Sequence, residues 1–300
     1  MESLGDAEKD EWVRLRSAAY RLLATLSDAE DAVQETFARW ARLTEGQRAE
    51  IVAPQAWRRR VLGRVCIDQL RSARARRETY VGQWLPEPVP DVVFAPRTGR
   101  SPAESAETAE AVSMALMIVL ERMTPAERVS LLLHDVFGYS FAEIAEILDR
   151  TQAACRQLAS SARGRIDRER SQAVSVAEHR RVNEAFRAAW ASGDIAALVA
   201  VLDPDVVMVT DGGGRVHAAL DPLAGPDDAA AFLRDVLVHE ARLRTAPVSV
   251  NGEPGILAIA DGNVLAVIAT KITDGRIARL WVVRNPHKLG AWGPDASARP

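Results

Sequence analysis

The chain has 300 residues, 48% of them hydrophobic, a length that suggests about two domains, or three if some are small helical modules. Its net charge of −3 excludes a polycation, so any nucleic-acid surface must be local. No run of about 18 uncharged apolar residues suggests a membrane span, and the acidic start MESLGDAEKDEW lacks the basic and apolar parts of a signal peptide, so a cytoplasmic protein is expected.

The first seventy-odd residues read as helical. Ser27–Glu30 has the form of a capping box, with Ser27 as N-cap and Glu30 reaching back. The helix that follows carries Ala29, Val33, Phe37 and Trp40 on one stripe and Glu30, Asp31, Gln34 and Glu35 on another. Pro54 opens a helix to about Arg77, with Trp57, Val61, Leu62, Val65, Cys66 and Leu70 at helical spacing. Its Trp57–Arg77 stretch holds eight arginines (Arg58, Arg59, Arg60, Arg64, Arg71, Arg74, Arg76 and Arg77) against the single Asp68. Solvated faces usually mix signs, so a nucleic-acid backbone is the natural partner.

Tyr80–Pro102 is proline-rich and reads as a semi-extended linker. Tyr80, Trp84 and Leu85 are apolar anchors there and call for a packing partner. Helices resume at Ala103–Met123, followed by capping boxes at Thr124–Glu127 and Ser140–Glu143. In Phe141–Asp149 the apolar residues Phe141, Ile144, Ala145 and Leu148 share one face. After a break at Asp149–Arg150, Thr151 caps a second helix with Ala154, Leu158, Ala162 and Ile166 inside. Thr151, Gln152, Arg156, Ser160 and Arg163 lie outside, and Arg150–Ile166 has four arginines and no acid. Such a pair is a helix-turn-helix able to reach base edges and phosphates in the major groove.

From Val176 the character changes. Helices at Val176–Trp190, Ile195–Leu202 and Pro226–His239 accompany strands at Val206–Thr210, Arg215–Leu220, Ala246–Val250, Gly255–Ala260, Val264–Thr270 and Ile277–Val283. Asp-Gly pairs at 211, 261 and 274 serve as turns. The expected fold is an α+β cone with a curved antiparallel sheet. The two cysteines, Cys66 and Cys155, are too far apart for a zinc-ligand pattern and read as buried thiols. No metal or cofactor is expected.

These segments together resemble a known family. Ser27–Leu43 and Pro54–Arg77 resemble region 2 of the extracytoplasmic-function (ECF) sigma factors of bacterial RNA polymerase, of the sigma-70 family, and Met123–Ile166 resembles their region 4. A subgroup carries a C-terminal domain similar to the SnoaL-like or nuclear-transport-factor-2-like cone. Its marks here are Trp84-Leu85-Pro86-Glu87-Pro88, Asp211-Gly212-Gly213-Gly214-Arg215 and Asn285-Pro286-His287-Lys288-Leu289, with His287 where an acid is usual. The resemblance implies two all-α sigma domains, 1–78 and 104–170, joined by a linker, 79–103, and followed by a regulatory cone, 176–292. Asp31, Gln34, Glu35 and Trp40 would dock on the clamp of the polymerase largest subunit. Arg58, Arg59, Arg60, Arg64, Arg71 and Arg74 would hold the −10 element, and the region around Thr44–Ala53 would cradle a flipped base. Thr151, Gln152, Arg156, Ser160 and Arg163 would read the −35 element. The cone would contact the sigma domains or the linker through Trp84, Pro86, Asp211, Gly212, Gly213, Arg215, Asn285, Pro286 and Leu289. If the acid replaced by His287 makes a charge contact in relatives, that contact would be absent or pH-dependent here.

Three other readings stay open at this point. The cone could be an enzyme using Asp211 as acid and His217 as base. It could be a ligand sensor. The whole chain could be a conventional helix-turn-helix regulator, although such a protein has no need of a docking helix followed by an arginine-rich one.

Overall fold

The computed structural model describes residues 6–93, 113–240 and 242–293. They divide into two compact units: residues 6–78, 93 and 116–170 in one, and 79–92, 113–115 and 171–293 in the other. Residues 94–112 of the expected linker and helix lie outside the described set.

The first unit is helical. Its elements are α1 (Asp6–Leu23), α2 (Leu26–Ala41), α3 (Glu45–Glu50), α4 (Pro54–Glu78), α5 (Met114–Glu121, of which Met114 and Ala115 group with the other unit), α6 (Pro125–Asp135), α7 (Phe141–Leu148) and α8 (Gln152–Arg170). Helix α2 buries Ala29, Ala32, Val33 and Thr36, the spacing of one helical face. Its cap differs from expectation. Thr25 is the N-cap and Ser27 sits inside the helix, because the Thr25 hydroxyl bonds Asp28 at 2.7 Å and Glu30 instead pairs with Arg16 at 2.8 Å. The boxes at Thr124 and Ser140 form as read, and a further one joins Thr44 to Gln47 at the start of α3. Asp149 ends α7 in the left-handed region at φ 51°, which makes the sharp turn into α8. Helix α8 buries Cys155, Ala159 and Ala162, small side chains that let it approach its neighbour.

The second unit contains α9 (Val176–Ser192), α10 (Ile195–Val201), β1 (Leu202–Asp211), β2 (Leu223–Ala224), α11 (Pro226–His239), β3 (Arg244–Val250), β4 (Glu253–Ala260), β5 (Asn263–Thr273) and β6 (Arg276–Val283). Among the described residues six strands form one sheet in the order β2-β1-β6-β5-β4-β3. It is mixed rather than wholly antiparallel, since β1 runs parallel to β6 with Met208 opposite Leu280. The strand expected at Arg215–Leu220 is absent; a loop leads instead to the short β2, which pairs Leu223 with Met208. Asp261-Gly262 and Asp274-Gly275 have positive φ at both positions, as tight hairpin turns require, and Asn251-Gly252 does the same between β3 and β4. The three helices cover one face of the sheet over a core that includes Phe186, Trp190, Leu233, Ile256, Ile268 and Leu280. Leu257, Val267, Trp281 and Val283, outside that core cluster, are buried as well. Among the described residues no helix is long and apolar enough to cross a membrane.

Candidate functional site

On α2, Asp31 and Gln34 are exposed. Glu35 bonds Arg39 at 2.8 Å, which holds its carboxyl below the usual range. Trp40 is half-buried, edge-on to Trp57 at 5.2 Å. The loop from α3 to α4 presents Val52, 99% exposed.

Helix α4 separates its arginines. Arg59, Arg60 and Arg64 are exposed. Arg71 and Arg74 lie further along the helix, with side chains outside the described set. Arg58 does not belong with them. It is buried, bonds Glu11 through two nitrogens at 2.9 and 2.5 Å, and lies over the rings of Phe37 and Trp40 at 5.5 and 5.0 Å. A guanidinium so engaged has no face left for a phosphate, so its assignment to the −10 element is overturned.

In the helix-turn-helix, Thr151, Gln152, Arg156 and Ser160 share the exposed side of α8. The Thr151 hydroxyl caps the helix by accepting the Ala154 N–H at 3.2 Å, and Arg156 lies 5.6 Å over the Phe141 ring. Arg163 is half-buried and bonds Asp135 of α6 at 2.8 Å, which raises its pKa. Arg165 pairs with Glu127 at 3.1 Å. Helix α8 is thus tied to α6 at its middle, and the exposed side chains of its first two turns lie outside these ties.

The second unit gathers most of the remaining predicted residues around Asp211, the last residue of β1, which is 0% exposed. Its Oδ2 accepts the Leu85 N–H at 2.9 Å and the Lys288 ammonium at 2.7 Å. Its Oδ1 accepts the Tyr80 hydroxyl and the Gly213 N–H, the latter at 3.1 Å. Its carbonyl accepts the Arg284 and Asn285 N–H groups at 2.7 and 2.9 Å. The Asn285 amide donates to Tyr80 at 2.7 Å, while its oxygen caps the short helix Pro286–Lys288. Lys288 also donates to the Leu85 carbonyl and stands 4.1 Å from the Trp84 ring centre and 5.1 Å from that of Tyr80. Burial and the neighbouring carboxylate push the Tyr80 pKa up, so the phenol stays a donor.

Further along, the linker forms a short ladder with the β3–β4 turn. Val89 and Asn251 exchange bonds at 2.9 and 2.8 Å, and Trp292 donates to the Pro88 carbonyl at 2.8 Å. The glycines permit the close fit. A Cβ on Gly213 would lie 2.4 Å from the Asn285 amide, one on Gly214 2.9 Å from Val81, and one on Gly212 2.6 Å from the Val216 carbonyl. Pro86 and Leu289 are buried, Trp84 is half-buried, and Arg215 and Pro286 are exposed, outside this network. His287 is exposed and is bonded through its backbone; the buried charge contact is made by its neighbour Lys288. Asn251 and Trp292 are additions to the predicted set, while Tyr80, expected as an apolar anchor, and Lys288, within the expected Asn285–Leu289 motif, enter it through their polar groups. The Asn-Gly pair at 251 is a signal that the sequence offered for one of them.

The acid–base pair proposed for an enzymatic cone does not assemble. Both Asp211 oxygens are occupied by the linker, Lys288 and Gly213. His217 is exposed, stacked on Phe232 at 5.8 Å and 3.6 Å from Asp235. Among the described residues there is no cluster of three or more His, Cys, Asp or Glu side chains fit to hold a metal ion. One buried polar cluster lies between α9 and the sheet. His179 Nε2 bonds the Thr270 hydroxyl at 2.8 Å, which donates to Asn183 at 2.8 Å. Burial pushes the His179 pKa down to about 4. The unfolded chain therefore takes up this proton first, and stability is lost as pH falls from about 6.5 to about 4. On the order of 3 kcal/mol is expected over that window. Replacing His179 with glutamine should flatten this part of a stability-against-pH curve measured by denaturant unfolding. A curve unchanged by the replacement would exclude His179 as its source.

Comparison with known proteins places this geometry. The Sigma-70 region 2 family matches residues 13–76, the Sigma-70, region 4 family residues 113–166, and the SnoaL-like domain family residues 183–284. The fold is thus that of a two-module sigma factor with a SnoaL-like cone. The chain is 38% identical over 292 residues to "ECF RNA polymerase sigma factor SigJ" of Mycobacterium tuberculosis, covering 92% of this chain and 89% of that one. It is 33% identical over 280 residues to "Probable ECF RNA polymerase sigma factor SigI" of the same species, covering 90% and 89%. A crystal structure of M. tuberculosis SigJ matches with a TM-score of 0.70 at 33% identity, over 95% of this chain and 98% of that one. The chain belongs to the ECF RNA polymerase sigma factors. It acts as an alternative sigma factor in transcription initiation, and the homology implies that this role is not enzymatic.

Proposed function

We propose that the two helical modules divide promoter recognition and that the cone governs how they are presented. Asp31 and Gln34, exposed on α2, dock on the clamp of the polymerase largest subunit. Arg59, Arg60 and Arg64, with Arg71 and Arg74 further along α4, hold −10 phosphates. The Thr44–Ala53 stretch, with Val52 at its tip, cradles a flipped base. Gln152, Arg156 and Ser160 face the −35 element, with Thr151 and Arg163 fixing the helix that carries them. The cone works by holding rather than by chemistry.

One observation carries the regulatory part: the buried Asp211 carboxylate takes the Leu85 N–H, the Tyr80 hydroxyl and the Lys288 ammonium together. A free linker would let the modules sample many separations. Fixing its first half on the cone removes that freedom and so changes the effective concentration of one module near the other's site. Run-off transcription with core polymerase tests the reading, using the full chain and versions ending near Arg170 and Arg284. Different activities at equal core occupancy are expected. Equal activity of all three would remove the cone from regulation, and core binding unaffected by Asp31→Arg with Gln34→Ala would remove the docking face.

A further inference from the structure

Phe141 opens α7 on the same face as Ile144, Ala145 and Leu148, yet Ile144 alone of these is buried. The Phe141 ring stays half-exposed at the junction of the helix pair. The His134 ring, from the last turn of α6, stacks on it with centroids 4.1 Å apart and planes 23° from parallel. His134 is held in turn, since its Nδ1 donates to the Tyr139 carbonyl at 2.9 Å. A carbonyl only accepts, so this bond fixes both the proton and the orientation of the imidazole.

Helix α8 places a cation on the same ring. The Arg156 guanidinium lies 5.6 Å from the centre of Phe141. Its Nη2 donates to Gln152 Oε1, one helical turn back, at 3.4 Å. Arg156 and Gln152 both remain exposed. A free arginine samples many rotamers, and that freedom is lost when a base fixes the side chain. A guanidinium resting on an aromatic face, with one nitrogen held, has given up part of it before DNA arrives. The ring takes the flat face of the guanidinium and leaves N–H groups at its edge, the part that distinguishes base pairs.

We infer that Phe141, braced by His134, is a positioning residue for promoter recognition: it pre-sets Arg156, together with Gln152, to read a base edge in the −35 element. This rests on the assignment of Arg156 to that element. The effect falls on discrimination rather than on general affinity, because phosphate contacts elsewhere do not depend on where Arg156 points.

The test uses holoenzyme assembled from core polymerase and the full-length chain. Affinity is measured for a promoter that it transcribes and for the same promoter with the −35 element scrambled, and the ratio is the readout. Arg156→Ala should lower that ratio about tenfold, as loss of one base-reading side chain does. Phe141→Leu keeps an apolar residue but removes the ring, and should lower the ratio about fivefold with the scrambled-promoter affinity unchanged. Phe141→Tyr keeps the ring and should restore the ratio to within about twofold, while His134→Leu should lower it about threefold. In an Arg156→Ala background, Phe141→Leu should cost nothing further, which a residue that merely packs would not show. The positioning role is overturned if Phe141→Leu keeps the parent's ratio while Arg156→Ala loses it. It is overturned too if Tyr does no better than Leu, or if the losses at 141 and 156 add. An unchanged ratio for His134→Leu removes the brace. If Arg156→Ala itself keeps the ratio, the assignment of Arg156 to the −35 element falls, and the inference with it.

Discussion

Replacing Asp211 with alanine is expected to destabilise the second unit by about 3–5 kcal/mol, the usual cost of leaving one partner of a buried ion pair alone. The stranded group is Lys288, whose side chain is 7% exposed and stands 2.7 Å from the lost carboxylate. The Leu85 N–H and the Tyr80 hydroxyl lose their acceptor at the same time. The linker should therefore come away before the sheet unfolds. Limited proteolysis within 79–90 should accelerate more than cleavage within β4–β6, and the melting temperature should fall. Adding Lys288→Met removes the orphaned charge, so the double variant should be more stable than Asp211→Ala alone. If the single variant melts with the wild type, the carboxylate does not hold the linker.

The second large effect falls on Arg58. Alanine there should destabilise the helical unit by about 3–5 kcal/mol, because Glu11 would remain buried without its partner. Two aromatic contacts, with Phe37 and Trp40, go with it. Arg59→Ala, one residue on, should change stability by no more than about 0.5 kcal/mol. It should instead lower the slope of log affinity against log salt by about 1, as loss of one phosphate contact does. Denaturant unfolding and salt titration of promoter binding separate the two. A stable Arg58→Ala protein with a reduced salt slope would restore Arg58 to the DNA surface and overturn its structural role.

Those neighbours show where the sequence was legible and where it was not. Arg58, Arg59 and Arg60 look alike as a charge run, and the sequence alone presents that run as one surface. Helical spacing held a signal, since Arg58 lies four residues before the buried Leu62 and eight before the buried Cys66. What rewards its burial is Glu11, 47 residues away. Local chemistry was readable for the same reason that Arg58 was not. The caps at Thr124 and Ser140 and the Asp-Gly turns at 261 and 274 are decided within four residues. The parallel pairing of β1 with β6 joins Leu202 to Ile277, and no local pattern distinguishes it from an antiparallel one. The loop at 215–220 alternates like a strand, but the side of β1 away from β6 pairs with Leu223 and Ala224 instead. At the candidate site, the motif residues Asp211, Gly213 and Asn285 were named in advance, and the geometry brings the polar groups of Tyr80 and Lys288 to them. A lysine between exposed His287 and buried Leu289 gives no sign of its burial until the aromatic rings of the linker are placed against it.

The linker's tethers also set an order of events during synthesis. Leu85 waits for Asp211, 126 residues later, and Pro88 waits for Trp292, 204 residues later. At a translation rate of roughly 5–20 residues per second, the last of these partners is made about 10–40 s after the segment it secures. Each nascent chain thus passes through an interval in which both promoter-reading modules exist and the cone does not.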